Sequence, residues 1–212
     1  MRKTICKKVL LVSVCLASVC LVAAATAQQS QKKPAPASAD LSVTYAPERS
    51  EIVPGNCCFW MQGGGADAAV TFWKGLGVSA ALTGDHASAF APGADVNKIA
   101  YLGGPRYTYT AWSSHTNAEA TPHYQIFGQG LFGGVHGFDG IYPTASSTTS
   151  SANAFSLQAG GGFNYFFTKS LGLRVLEVDY VRTQLPNNAS NSQNDLRLSF
   201  GVTYHLRSIF RH

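Results

Sequence analysis

The sequence predicts an all-β chain whose eight antiparallel strands run in up-and-down order and close into a transmembrane barrel. Three observations lead there. Beyond residue 40, apolar and polar residues alternate with a period of two, and helical periodicity is nearly absent. Tight turns alternate with long polar connections, as in an up-and-down outer-membrane barrel. Charged residues make up only 13% of the chain, against roughly 25% in soluble domains.

The first 27 residues stand apart as a cleaved secretory signal. Met1 to Lys8 is basic, Val9 to Val22 carries no charge, and Ala25-Thr26-Ala27 supplies small residues before Gln28. The apolar run is short for a spanning helix; an uncleaved anchor is the alternative, and Ser18-Val19 before Cys20 is a poor match to a lipidation site. Without Arg2, Lys3, Lys7 and Lys8, 12 basic residues face 11 acidic ones, a net charge of +1. The chain's basic excess is therefore an export feature, and no nucleic-acid partner is expected. Residues 28–39, polar and rich in Pro and Ala, read as a disordered lead-in, and 40–212 as the barrel domain.

Cys6, Cys15 and Cys20 leave with the signal, so the mature chain keeps Cys57 and Cys58. Two adjacent cysteines make no disulfide framework, though a labile vicinal pair or contact with a partner thiol fits an oxidising compartment. A metal would want four N or S ligands; no metal and no cofactor are expected.

The strands follow in order. Leu41 to Ala46 places Leu41, Val43 and Tyr45 on one face. Ala66 to Trp73 sets Ala68, Val70 and Phe72 against Asp67, Ala69 and Thr71. Leu76 to Thr83 alternates in the same way after the two-residue turn Lys74-Gly75. Ile99 to Trp112 alternates Arg106, Thr108 and Thr110 with Tyr107, Tyr109 and Ala111. His123 to His136 is a looser pattern rich in glycine. Ala154 to Phe167 opposes Phe155, Leu157, Ala159 and Phe163 to Ser156, Gln158, Gly160 and Asn164. Leu173 to Gln184 has Glu177 and Asp179 on one face and Leu176, Val178 and Tyr180 on the other. Leu196 to Arg207 alternates without a break. Long polar linkers are expected around 47–58, 84–98, 137–153 and 185–195, while 113–121 is long on the short side.

Alternation alone does not say which face is inside. A soluble barrel such as a lipocalin turns apolar residues inward; a membrane barrel turns them to lipid. The polar faces here are mostly Ser, Thr, Gln, Asn and Gly, which suit a narrow filled lumen, and aromatics cluster near strand ends, where interfacial girdles belong. Closure then satisfies the backbone in lipid. Arg174 shares parity with outward Leu176; it either snorkels to headgroups or is turned inward by a β-bulge before Glu177.

Five stretches carry a family resemblance: GNCCFWMQGGGADAAV (55–70), YLGGPRYTY (101–109), GGGFNYFF (160–167), LRVLEVDYVRTQLPN (173–187) and NDLRLSFGVTYHL (194–206). Together they resemble the small OmpA/OmpX-like outer-membrane barrel domains of Gram-negative envelopes, nearest to acidobacterial-type variants, over nearly the whole mature chain. The last strand is similar to that family's assembly signal at Gly201, Tyr204 and Leu206, with Ser208 to His212 extending past it. The resemblance implies a monomer in the cell outer membrane, among lipopolysaccharide and other outer-membrane lipids. It also implies passage through periplasmic chaperones and the barrel-assembly machinery.

Candidate functional residues are few. Arg106, Glu177, Asp179 and Arg197 project into the lumen and should pair there, with Asp179 opposite Arg197; a structural plug is favoured over a gated ion path. Some barrels of this type deacylate or acylate lipid A, and Asp85, His86 and Ser88 hold the residue types for a hydrolase at the end of the third strand. Three such residues in a polar loop occur easily by chance, so no enzyme is expected. His136 and His205 read as lumen or rim residues. GGGADAAV and AGGGFNY precede no helix or Lys-Ser/Thr and are not phosphate loops. The expected role is a non-enzymatic envelope component, structural, adhesive through four long loops, or a very narrow pore. The alternatives are a lipid A-modifying enzyme and a soluble periplasmic lipocalin-like binder.

Overall fold

A computed structural model describes residues 37–50, 59–91, 94–113, 121–143, 147–187 and 191–207. The signal segment and the Cys57–Cys58 pair lie outside the described residues. The strands are β1 (Ser38–Tyr45), β2 (Glu48–Ser50), β3 (Phe59–Trp73), β4 (Leu76–Ala91), β5 (Ala94–Ser113) and β6 (Thr121–Phe138). There follow β7 (Tyr142–Pro143), β8 (Thr148–Thr149), β9 (Ala152–Phe166), β10 (Leu171–Thr183) and β11 (Gln193–Arg207). No helix occurs among the described residues.

These strands form an eight-staved closed antiparallel barrel, all β as the alternation predicts. Neighbours in sequence are neighbours in the sheet, and the ring closes where β1 pairs with both β11 and β3. The first stave is β1 continued by β2 past Ala46-Pro47, with β2 still bridging β11 and β3. Pro47 has no N–H to give the ladder, but its carbonyl accepts from the Leu198 amide at 3.0 Å, so the break costs no partner there. At the end where β1 begins and β11 finishes, Lys74 and Gly75 form the two-residue hairpin with φ of 45° and 92°. Positive φ at both centres matches the twist of the flanking strands, and only glycine takes the second without strain.

The sequence reading placed a long loop at 84–98. Most of that segment is instead paired strand: His86 lies opposite Asn97 and Ala87 opposite Val96. Its inward positions carry Asp85 and Lys98 beside Ala87 and Val96, so a partly polar lumen face mimicked a polar loop. Among the described residues, the connection after β6 carries the small β7–β8 ribbon.

Sidedness is the reverse of a soluble barrel. Leu41, Val43, Leu82, Tyr101, Ile126, Phe132, Val178, Phe200 and Val202 stand on the outside, with Val43 68% exposed. Asp, Glu, Lys, Arg, Gln, Ser and Thr fill the inside. Strand β6 departs from the pattern: it buries Phe127, Leu131 and Val135 and leaves glycines on its outer face, which is why its alternation reads as loose. In β10 the register shifts between Arg174 and Glu177 against β11, and between Arg174 and Leu176 against β9. One extra residue there turns Arg174 inward along with Glu177 and Asp179, the bulge alternative of the sequence reading.

Candidate functional site

The lumen concentrates the polar chemistry of the molecule, in layers between the loop end and the turn end. Below the loops, Glu48 of β2, Lys98 of β5 and Asp85 of β4 meet Asp195 and Arg197 of β11. Arg197 Nη2 donates to Glu48 at 2.6 Å and to Asp85 at 2.8 Å, and Nη1 donates to Thr83 at 3.1 Å. Lys98 bonds Glu48 and reaches Asp195 at 3.4 Å, while the Ser50 hydroxyl donates to Asp195 at 2.9 Å. All these side chains are buried. A buried charge survives only when paired and hydrogen-bonded, and here each guanidinium or ammonium faces two carboxylates.

The next layer is built on Arg174 and Arg106. Arg174 bonds Asp67, donates to Glu177 at 2.8 Å, to Ser42 at 2.7 Å and to Asn164 at 3.2 Å. Arg106 reaches Asp67 at 3.4 Å. The Phe127 ring takes both guanidinium groups, Arg106 at 3.7 Å and Arg174 at 4.8 Å from its centroid. A ring face attracts such cations and spares them a polar partner on that side. Gly162 makes room for the ring: a Cβ there would sit 2.7 Å from its edge. Inward Phe127 is thus part of the charge layer.

Two caps close the ends. At the turn end His205 Nδ1 meets Asp40 at 2.6 Å, with the rings of Phe166 and Trp112 edge-on at 5.8 and 6.1 Å. At the loop end Tyr142 and Leu185 fold in from their connections onto Ala100, Leu102, Leu131 and Val135. The Tyr142 hydroxyl donates to the Asn97 carbonyl at 3.2 Å, and burial raises its pKa above the usual phenol value.

The four lumen charges read from the sequence all point inward, but they do not form one cluster. Asp179 pairs opposite Arg197 in register, yet the guanidinium turns to Glu48 and Asp85, and neither Asp179 oxygen makes a well-formed hydrogen bond. Arg106 and Glu177 belong to the Arg174 layer. Sequence reasoning missed Glu48 and Lys98 because both lie in segments read as linkers. Extending each strand's parity through those segments would have found them.

The pleat separates the three hydrolase candidates. Asp85 faces the lumen on Arg197, whereas His86 and Ser88 face outward, and the His86 ring nitrogen meets Asn97 at 2.7 Å. They lie within β4 rather than in a loop, and no carboxylate–imidazole–hydroxyl relay can form among them. His136 pairs with Asn153 at 2.8 Å, and His205 is the lumen residue described above. In the closing strand Tyr204 and Leu206 face outward. Gly201 packs on β1, where a Cβ would collide with the Val43 carbonyl and lie 2.7 Å from the Thr44 Cα.

No family model and no curated sequence matches the chain. Solved structures do resemble it. The attachment invasion locus protein Ail of Yersinia pestis superposes with a TM-score of 0.52 at 15% identity, over 81% of this chain and 99% of its own. Neisserial surface protein A gives 0.49 at 11% identity over 83% and 99%. The N-terminal barrel domain of Pseudomonas aeruginosa OprF gives 0.44 at 10% identity over 82% and 100%. At such identity the likeness to Ail concerns the fold.

Proposed function

We propose that the chain is an integral outer-membrane barrel with a sealed lumen, a non-enzymatic envelope component that presents its long connections outside the cell. One observation carries the reading: the large apolar side chains are on the outside and the charges on the inside. In water that arrangement would expose a continuous apolar belt far beyond what a soluble monomer tolerates. In a bilayer it places side chains with lipid and satisfies every ladder hydrogen bond by closure. Trp60, Trp73, Trp112, Tyr107, Tyr109 and Phe167 stand exposed near strand ends, where aromatic residues anchor at an interface.

The layered ion pairs and the two caps support a plug over a pore, since a conducted ion would have to break several charge-assisted bonds in a water-poor interior. An adhesive or scaffolding role for the loops fits a barrel with nothing to conduct. Membership of the OmpA/OmpX-like, acidobacterial-type family is part of the same proposal. So are export by a cleaved signal, a monomeric state among lipopolysaccharide and other outer-membrane lipids, and assembly through Gly201, Tyr204 and Leu206 by chaperones and the barrel machinery.

The test is extraction and electrophoresis. The folded protein should stay with membranes through a carbonate wash, need detergent to dissolve, and migrate differently in SDS gels before and after boiling. A chain that is soluble without detergent, with a single mobility, would be the lipocalin-like binder instead.

A further inference from the structure

We infer that the lumen holds a binding site for one sodium-sized monovalent cation at Asp179, a site independent of how the barrel is placed in a membrane. The first observation is a charge count. Six carboxylates (Glu48, Asp67, Asp85, Glu177, Asp179 and Asp195) share the middle of the lumen with four permanent cations, Lys98, Arg106, Arg174 and Arg197. Asp40 is matched separately by His205. Six against four leaves two negative charges uncompensated, and every cation is bonded to a carboxylate other than Asp179, so Asp179 is the acid with no cation bonded to it.

The second observation is geometric. Asp179 is 1% exposed, and neither oxygen makes a well-formed hydrogen bond, its nearest polar neighbours being Gln158 and Glu177. Asp179 borders a small cavity of about 20 Å³ between the two ion-pair layers, room for one water-sized species. Its other walls are oxygen-rich: Glu177, Gln129, Gln158, Thr83 and Ser199. Gln129 Oε1 also has no donor, because its amide nitrogen is turned to Glu177 at 2.8 Å. Gly160 faces the Asp179 carboxylate, and a Cβ there would occupy its place. The same Cβ would collide with the Val178 carbonyl, so the acid and the neighbouring backbone both hold this position to glycine.

Carboxylate, amide and hydroxyl oxygens around a water-sized space are the ligand set of a hard cation. Among the described residues no three His, Cys, Asp or Glu side chains gather as a metal site, which argues for a monovalent ion over a divalent one. A neutral water would fill the space but leave the charge. A proton on Asp179 would remove that acid's own charge but leave Gln129 Oε1 without a donor and the space unfilled. Arg197 borders the cavity too, but its charge is already engaged by Glu48 and Asp85.

The experiment is equilibrium urea unfolding of the refolded barrel in detergent micelles at pH 8, in sodium, potassium or choline chloride at one ionic strength. Above the dissociation constant, the folded-to-unfolded ratio of the wild type should rise about tenfold for each tenfold increase in sodium. Potassium should act more weakly and choline not at all. Asp179→Asn should abolish the sodium response, and Ser199→Ala should shift it to higher concentration. Identical curves in sodium and choline would overturn the proposal. So would a sodium-independent stability that follows pH and vanishes in Asp179→Asn, which would assign the site to a proton. If Asp179→Asn does not refold, the wild-type comparison of sodium with choline decides alone.

Discussion

Arg197 is the hinge of the loop-end layer, and replacing it with methionine separates the plug reading from a decorative one. The substitution keeps the apolar stem and removes the guanidinium. It breaks the bonds to Glu48 at 2.6 Å, Asp85 at 2.8 Å and Thr83 at 3.1 Å. Glu48 keeps Lys98 as its counter-ion. Asp85 does not fare so well: Oδ2 loses its donor, and Oδ1 has none to begin with. A buried carboxylate orphaned in this way costs about 3–5 kcal/mol, or roughly a 10²- to 10⁴-fold fall in the folding constant. Asp85→Leu alone leaves Arg197 on Glu48 and should cost less, about 1–3 kcal/mol. Combining the two removes both the orphan and its cause, so the double variant should lie about 1–3 kcal/mol above the sum of the singles. Urea titration of the refolded protein in micelles, followed by tryptophan fluorescence, measures all three. A cost below about 1 kcal/mol for Arg197→Met, the size expected of a solvated surface pair, would refute the dry, paired lumen.

Phe127→Ala should cost about 3–5 kcal/mol for the lost volume alone, plus the ring face under Arg106 and Arg174; the same titration reads it, and a near-neutral result would remove the ring from the charge layer. Gly104→Ala should fail to give a heat-modifiable band. Its Cβ would run into the Gly130 carbonyl and sit 3.1 Å from the Leu131 Cα. The adjacent Gly103→Ala, whose one near neighbour is the Ser79 carbonyl at 3.7 Å, should fold with a change within about 1 kcal/mol. In planar bilayers the wild type should be electrically silent, and should stay silent in Tyr142→Ala/Leu185→Ala because the ion layers lie beneath that cap. Conductance steps in the double variant alone would put the seal at the cap.

Where one face meets one environment, the alternation of the chain read directly. In β11 every second residue from Leu196 to Leu206 is apolar, and every one of those faces out. The same logic failed where a polar lumen continues past the apolar band. Thr83, Asp85 and Lys98 lie on paired strand, but with Phe90 and Val96 as the bulky apolar residues between Asp85 and Lys98 the segment has the composition of a loop. It failed again in β6, where glycines share the outer face with Ile126 and Phe132 and Phe127 went inside to stack under arginines. Arg174 is a third kind of failure. Its side follows from a one-residue register shift that depends on β9 and β11, and no local pattern encodes a partner's register. The lumen acids and bases were therefore half legible. Arg106, Glu177, Asp179 and Arg197 could be placed inside from parity, but their partners could not be chosen, since each pair joins strands far apart in sequence.

That distance has a consequence for how the chain reaches its native state. Asp40 and His205 are 165 residues apart, Ser42 and Thr203 161, and Glu48 and Arg197 149. The first stave and the last supply opposite halves of these contacts, so nothing along the seam is satisfied until the two ends of the chain meet. Contacts of such high sequence separation make folding slow. A sheet left open at that seam would face lipid with both bare ladder edges and unpartnered ions. Closing β1 on β11, with Arg197 in place to claim Glu48 and Asp85, satisfies the ladder edges and these ions together.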